Sequence, residues 1–229
     1  TCQLSRSDTR IDNHVYRTAV CLRLNTPPVN LSPAWIERLR CADCDVSLLN
    51  DPFHRIHCLA ESPNGRRVQH NHVNKQFANF VDLCGHEVKL EPSSFLDPST
   101  KKRPDGFIRL NDGGNMIYDV RGFDSLAPSY IGKDMKKVLA NASKQKLDHY
   151  EGHGRLLYPN IEMKPFVYDT LSGLSEPAIS LMKSISRRGH LSSSRNPEKF
   201  VRDAIVAISV AIQVDNAAIV LKSFEDARP

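Results

Sequence analysis

The sequence predicts an α/β fold: a small mixed sheet flanked by helices, a helical Cys/His-rich module before it, and a buried C-terminal helix after it. Three observations carry this reading. From residue 67 the hydrophobic period runs helix, three strands, helix, strand, helix, the order of a small sheet covered by helices. Three of the six cysteines fall within 18 residues, beside His54 and His57. The stretch 198–221 is apolar nearly all round, as a helix packed inside a protein is.

Composition bounds the rest. The 229 residues are 40% hydrophobic and 25% charged, an ordinary globular balance that excludes a disordered or fibrous chain. The length fits one core domain with a small module. The expected divisions are 1–61 for the N-terminal helices and the Cys/His module, 62–190 for the α/β core, and 191–229 for a linker and last helix. The net charge of +5 permits a polyanionic partner without arguing for one. No run reaches the ~18 unbroken apolar residues of a membrane span. The best, Ala204–Ile212, already contains Ser209, so no membrane is expected. No basic-then-apolar leader is present, and the chain opens on Thr1, so a piece of a longer intracellular polypeptide is expected.

The elements follow in order. Ile11, Val15, Ala19 and Leu22 lie at helical spacing within 8–24, and Pro27-Pro28 stops that helix. A short helix is expected over 32–39, with Pro33 at its first position. Residues 62–66 form a turn. Over 67–84, Val73, Phe77, Phe80, Val81 and Cys84 share about a third of a helix's circumference, and Gly85 closes it. Strands are expected at 87–91, 106–110 and 115–121, with Asp112-Gly113-Gly114 turning the last two into a hairpin. A polar loop spans 92–104. A helix over 132–150 carries a stripe of Met135, Val138, Leu139 and Ala142. The strand at 161–168 contains Pro165, which implies an edge or a bulge. Helices over 176–188 and 198–221 flank a linker at 189–197.

Two constellations carry chemistry. The first is Cys41-x-x-Cys44 with His54-x-x-x-Cys58. Two thiolates two residues apart grip one face of a tetrahedral ion, and a His and a Cys four apart supply the other. With all four positions filled the site is closed, so structural zinc is expected. His57 and His70 are the alternative histidine ligands, and a plain core histidine is the bland reading of His70.

The second begins with Arg103-Pro104-Asp105 and continues, 14 residues after Asp105, with Asp119-x-Arg121. Residues two apart in a strand share a face, so Asp119 and Arg121 project together while Met116, Tyr118 and Val120 face an apolar layer. If the two strands pair, Asp105 lands near Asp119. Two adjacent carboxylates repel unless they share a cation, and hard oxygen ligands suit Mg²⁺ or Mn²⁺. On the following helix, Lys146 sits about 20° from Met135, on the buried stripe, whereas Lys144 lies on the wet face. A lysine there needs an anion to meet it. The expectation is that Lys146 reaches the two aspartates and that Tyr150, one turn on, points the same way.

The order Cys-x-x-Cys, His-x-x-x-Cys, His70-Asn71, Glu91-Pro92, Arg-Pro-Asp, Asp-Val and Lys-x-x-x-Tyr resembles the restriction-like endonuclease region of non-LTR retrotransposon proteins. Its nuclease core is similar to the PD-(D/E)xK superfamily, and the resemblance covers about 16–221. It implies a restriction-endonuclease-like core that cuts DNA, with a catalytic Mg²⁺ or Mn²⁺ and a reverse transcriptase upstream. Asp105 and Asp119 become metal ligands and Glu91 a third acid. Lys146 becomes the catalytic lysine and Tyr150 a supporting residue, while Arg121 stands at the superfamily's usual lysine position; Lys144 and Arg121 are the alternatives for the lysine's role. Arg103, Lys133, Lys136, Lys137, Lys144, Arg187, Arg188 and Arg195 are candidate contacts to the DNA backbone. The element's RNA is a further expected partner, and the nucleus or another intracellular site the expected location. The alternative is a non-catalytic, zinc-stabilised nucleic-acid-binding module with a decayed nuclease fold.

Overall fold

The computed structural model describes residues 11–24, 39–48, 51, 53–58, 64–95, 103–127, 129–153, 161–189 and 196–226. The expected helix over 32–39 and Arg195 lie outside these residues, apart from Leu39 itself. The chain forms two compact units, one of residues 1–69 with 212–229 and one of residues 70–211.

In the first unit, α1 spans Asn13–Leu24. Asp12 begins it, its carboxylate accepting from the His14 amide at 2.8 Å and satisfying a donor that the first turn leaves open. Leu22 is buried. The Cys41–Cys44 segment is a tight turn: the Cys41 amide bonds the Val46 carbonyl, and Arg40 bridges Ser47. A single helical turn, α2 (His54–His57), follows. Leu39, Cys41, Leu48 and Cys58 form a small core, with Phe224 packed against it.

The second unit is mixed α/β. Helix α3 (Asn64–Leu83) enters it, and Gly85 follows at φ 82°, a left-handed conformation suited to glycine at a helix end. Strands β1 (Glu87–Leu90), β2 (Gly106–Arg109), β3 (Asn115–Phe123) and β4 (Glu162–Asp169) form one sheet in that order. The first two pairings are antiparallel and β3–β4 is parallel. Helix α4 (Met135–His153) connects β3 to β4. Pro165 lies on an edge strand, where a missing ladder donor is tolerated.

Helices cover both faces of β3. On one, Phe77 of α3 meets Tyr118 edge-on at 4.8 Å and lies 4.5 Å from Phe166. On the other, Leu139 and Ala142 of α4 pack on Val167. Ile117 is therefore as buried as Met116, Tyr118 and Val120. Helix α5 (Glu176–Arg188) starts with Ser175 accepting from the Ala178 amide and buries Ala178, Leu181, Met182 and Ile185.

The last helix, α6 (Pro197–Asp226), departs from expectation in two ways. It is 30 residues long and extends past the expected 198–221 at both ends. It is also not buried all round: Ile208, Ile212 and Val220 are, but Val206 is 61% exposed. Apolar residues on every face let the sequence be read as buried; packing engages only some of those faces. By length and composition α6 is also a helix that can cross a membrane, although Ser209, Gln213 and Asp215 break its apolar run. Of its most apolar window, 39% is buried here, and buried Asn216 accepts from Gln69 at 2.6 Å.

Candidate functional site

The Cys/His cluster is built from 18 contiguous residues. The tight turn presents Cys41 and Cys44 together, and α2 carries His54 toward them and ends at Cys58. Cys44 Sγ lies 2.9 Å from His54 Nε2 and 3.6 Å from Cys58 Sγ, and Cys41 Sγ is 3.9 Å from Cys58 Sγ. All four ligand atoms fall within 4.8 Å of one another. Sulfur spacings of this size suit thiolates that each sit about 2.3 Å from one central ion. The four residues can hold a metal such as zinc. Asp51 faces the other ring nitrogen of His54 at 3.4 Å, the placement of a carboxylate that orients a metal-binding imidazole. The histidine gathered with the three cysteines is His54. His70, the alternative, belongs to another cluster; the side chain of His57 lies outside the described residues.

That second cluster gathers six side chains, from α3, β3, α4 and the residue just before β2. The β2–β3 register pairs Gly106 with Tyr118, which sets Asp105 opposite Asp119 at the next position. Glycine is required at 106, because a Cβ there would lie 2.2 Å from the Tyr118 ring. The two carboxyl groups hydrogen-bond each other. Lys146 Nζ donates to Asp119 Oδ2 at 2.8 Å, and the Tyr150 hydroxyl lies close enough to Asp119 to feel its carboxyl group. Both reach down from α4 because positions 146 and 150 are one turn apart on its sheet-facing side. Lys144 and Gln145 are exposed, so Lys146 is the lysine brought to the pair.

Asp105 is held on every side. Its Oδ2 accepts from the Val120 amide at 2.7 Å and meets His70 Nε2 at 3.1 Å. Buried Asn74 donates to the Asp105 carbonyl and accepts from the Tyr118 hydroxyl at 2.8 Å. Sequence reasoning missed His70 and Asn74 in this role. Their spacing, one turn apart in the middle of α3, was visible, but nothing local says which strand they face.

The electrostatics separate the two acids. Burial pushes the Asp105 carboxyl up, but hydrogen bonds from His70 and Asp119 outweigh it and hold the group below the usual carboxylate value. Asp119 moves the other way, to about 6, because it is buried and faces Asp105. Lys146 only partly offsets this. His70 rises to about 9, chiefly through its hydrogen bond to Asp105. Burial, then Asp119, raises the Tyr150 hydroxyl. Near neutrality the cluster therefore holds an anionic Asp105 beside a protonated His70, and an Asp119 close to its own titration point.

Other predicted residues lie elsewhere. Glu91 directly follows β1 beside Asp105, its amide bonding the Asp105 carbonyl at 3.0 Å, but its half-exposed carboxylate is taken by Arg103. It is not brought into the acid pair, because at φ 43° its backbone leaves the strand conformation. Arg121 shares the face of Asp119 but donates to Gln145 at 3.0 Å. Lys133 lies over the Tyr130 ring, and Lys136, Lys137, Lys144 and Arg187 are exposed. Arg188 ion-pairs with Asp112. Comparison with protein-family models and with curated proteins finds no match.

Proposed function

We propose that this chain is a divalent-metal-dependent endonuclease that nicks one strand of DNA by phosphodiester hydrolysis. The observation that carries the reading is the gathering of Asp105, just before β2, Asp119 of β3, and Lys146 and Tyr150 of the helix between β3 and β4. A four-stranded mixed sheet with helices on both faces supports a restriction-endonuclease-like core.

The donor set fits a hard divalent cation. Two carboxylates this close share a proton in its absence, and a cation can replace that proton. When bound, such an ion polarises the scissile phosphate and lowers the pKa of an attacking water. Asp105 and Asp119 would hold it. The Lys146 ammonium, a point charge 2.8 Å from Asp119, would meet the phosphate or hold the attacking water. Tyr150 fixes the orientation of Asp119. His70 and Asn74 keep Asp105 from turning away. In the first unit the ion is zinc and its role structural, since four protein ligands leave no open position. Within a retrotransposon protein, the 3′-hydroxyl left by the nick would prime reverse transcription.

The test is nicking of a supercoiled plasmid by the purified chain. Expected is relaxation that needs added Mg²⁺ or Mn²⁺ and is lost in Asp119→Ala and Lys146→Ala. Metal-independent nicking, or an Asp119→Ala variant as active as wild type, overturns the reading. A wild type that binds DNA but never nicks it is the decayed module.

A further inference from the structure

We infer that a cavity beside the acid pair holds an unpaired nucleotide of the DNA strand, its base stacked on Tyr130. The inference deepens the nuclease reading and rests on it for the identity of the strand.

The cavity has a volume of about 200 Å³. It shares both of its supporting elements with the acid cluster. Arg121 lines it and stands two residues after Asp119 on the same face of β3, about 7 Å along the strand. Gln145 lines it from α4 and directly precedes Lys146. A nucleotide in the cavity is thus within reach of a neighbouring phosphate at Asp119 and Lys146.

Its walls have the chemistry of a base and its phosphate. Phe123 and Tyr130 form a tilted ring pair with centroids 5.3 Å apart. Both rings are half-buried rather than sealed in the core, so the cavity opens to solvent. Asn141 and Gln145 are exposed amides on α4: Asn141 can donate and accept along a base edge, and Gln145, whose Oε1 accepts from Arg121, keeps its amino group to donate. Arg121 is a forked donor suited to phosphate, and Lys133, 5.4 Å above the Tyr130 ring, adds a second cation at the rim.

Such a cavity selects an unpaired base. In a duplex both faces of a base are covered by its neighbours and its edge by its partner, so an aromatic wall and two amides cannot reach it. An aromatic platform with basic groups beside it is the arrangement that takes single strands without strong sequence preference. The residues therefore point to DNA that is locally open next to the cut: a flap, a bulge or a melted step.

The test is binding, read without added Mg²⁺ or Mn²⁺ so that no cleavage is needed. Fluorescence anisotropy would compare a labelled blunt duplex with the same duplex carrying a single-stranded flap. Wild type should prefer the flap by roughly tenfold or more, the scale of one base–aromatic stack. Tyr130→Ala should lose most of that preference and Tyr130→Phe should keep it. Asn141→Ala, on an exposed helix position, should lose a smaller part, and it decides the matter if Tyr130→Ala does not fold. Equal binding of the two probes by wild type, or full flap preference in a folded Tyr130→Ala or in Asn141→Ala, overturns the inference. If wild type fails to nick plasmid yet keeps a Tyr130-dependent flap preference, the nuclease reading falls and the cavity assignment stands.

Discussion

Two polar clusters in this chain are built in opposite ways. The first sets three soft thiols and an imidazole within 18 residues, on one turn and one short helix. Its members need only their own segment to meet. The second draws hard oxygens, a lysine and a tyrosine from β3, α4 and the residue just before β2, and orients them with side chains from α3. Every pair in it depends on the sheet. The closed cluster has no position left for a substrate, whereas the open one keeps titratable groups poised near neutrality. The roles proposed for them, a metal that braces and a metal that reacts, ask for these two designs.

The largest effect that tests this contrast is on activity. Asp119→Ala should lower the plasmid-nicking rate by at least about a thousandfold, since removing a ligand of the reacting ion forfeits several kcal/mol of transition-state stabilisation. Thermal melting of that variant should still show a folded protein. A comparable loss of nicking from Lys144→Ala would point to the wrong lysine.

Next comes the thiolate cluster. Cys58→Ser should lose bound metal and several kcal/mol of stability, because binding free energy at such a site is folding free energy. Metal analysis and chemical denaturation measure the two. A variant that retains one zinc per chain and wild-type stability would show the cluster to be only buried cysteines.

A smaller effect, opposite in sign, belongs to Asp119. Its carboxyl titrates at about 6 when folded against an ordinary 3.8, so between those values the folded state binds more protons than the unfolded one. Stability from this group is then full below about pH 4 and is lost as pH rises to about 6. Asp119→Asn removes the charge and should raise stability at pH 7 by about 1–3 kcal/mol, with little change near pH 4. Mg²⁺ or Mn²⁺ should raise the wild-type melting temperature and narrow that gap. No gain at pH 7 would mean Asp119 is not held against its will.

The smallest expected change is at His70. His70→Ala should cost about 1–2 kcal/mol, the scale of one partly exposed, charge-assisted hydrogen bond. Because His70 stabilises most when charged, the cost should be full below about pH 6.5 and should fade as pH rises through about 9. A stability difference independent of pH would dissociate His70 from Asp105.

How much was legible follows from which interactions are local. The β2–β3 hairpin was readable because Asp112-Gly113-Gly114 is a turn signal and short apolar runs flank it on both sides. Lys146 was readable because a charge on a helix's apolar stripe demands a partner, and its position relative to Met135 is set by helix geometry. Glu91 follows a strand that does neighbour β2, but the strand conformation ends before it and its carboxylate pairs with Arg103, which no strand period foretells. The burial of α6 was overread for a related reason: apolar residues state what can be buried, and neighbours decide what is.

The amino-acid sequence by itself determined the order of the elements, the Cys/His cluster, and the pairing of Asp105 with Asp119. All three rest on periods and spacings that span fewer than about 20 residues, within which backbone geometry leaves few alternatives. Only the tertiary structure decided that His70 and Asn74 support Asp105, that Arg121 turns to Gln145, and that Tyr130 and Phe123 wall a cavity beside the acids. Those contacts join side chains from separate elements, and no local period encodes which face of which helix a strand will meet.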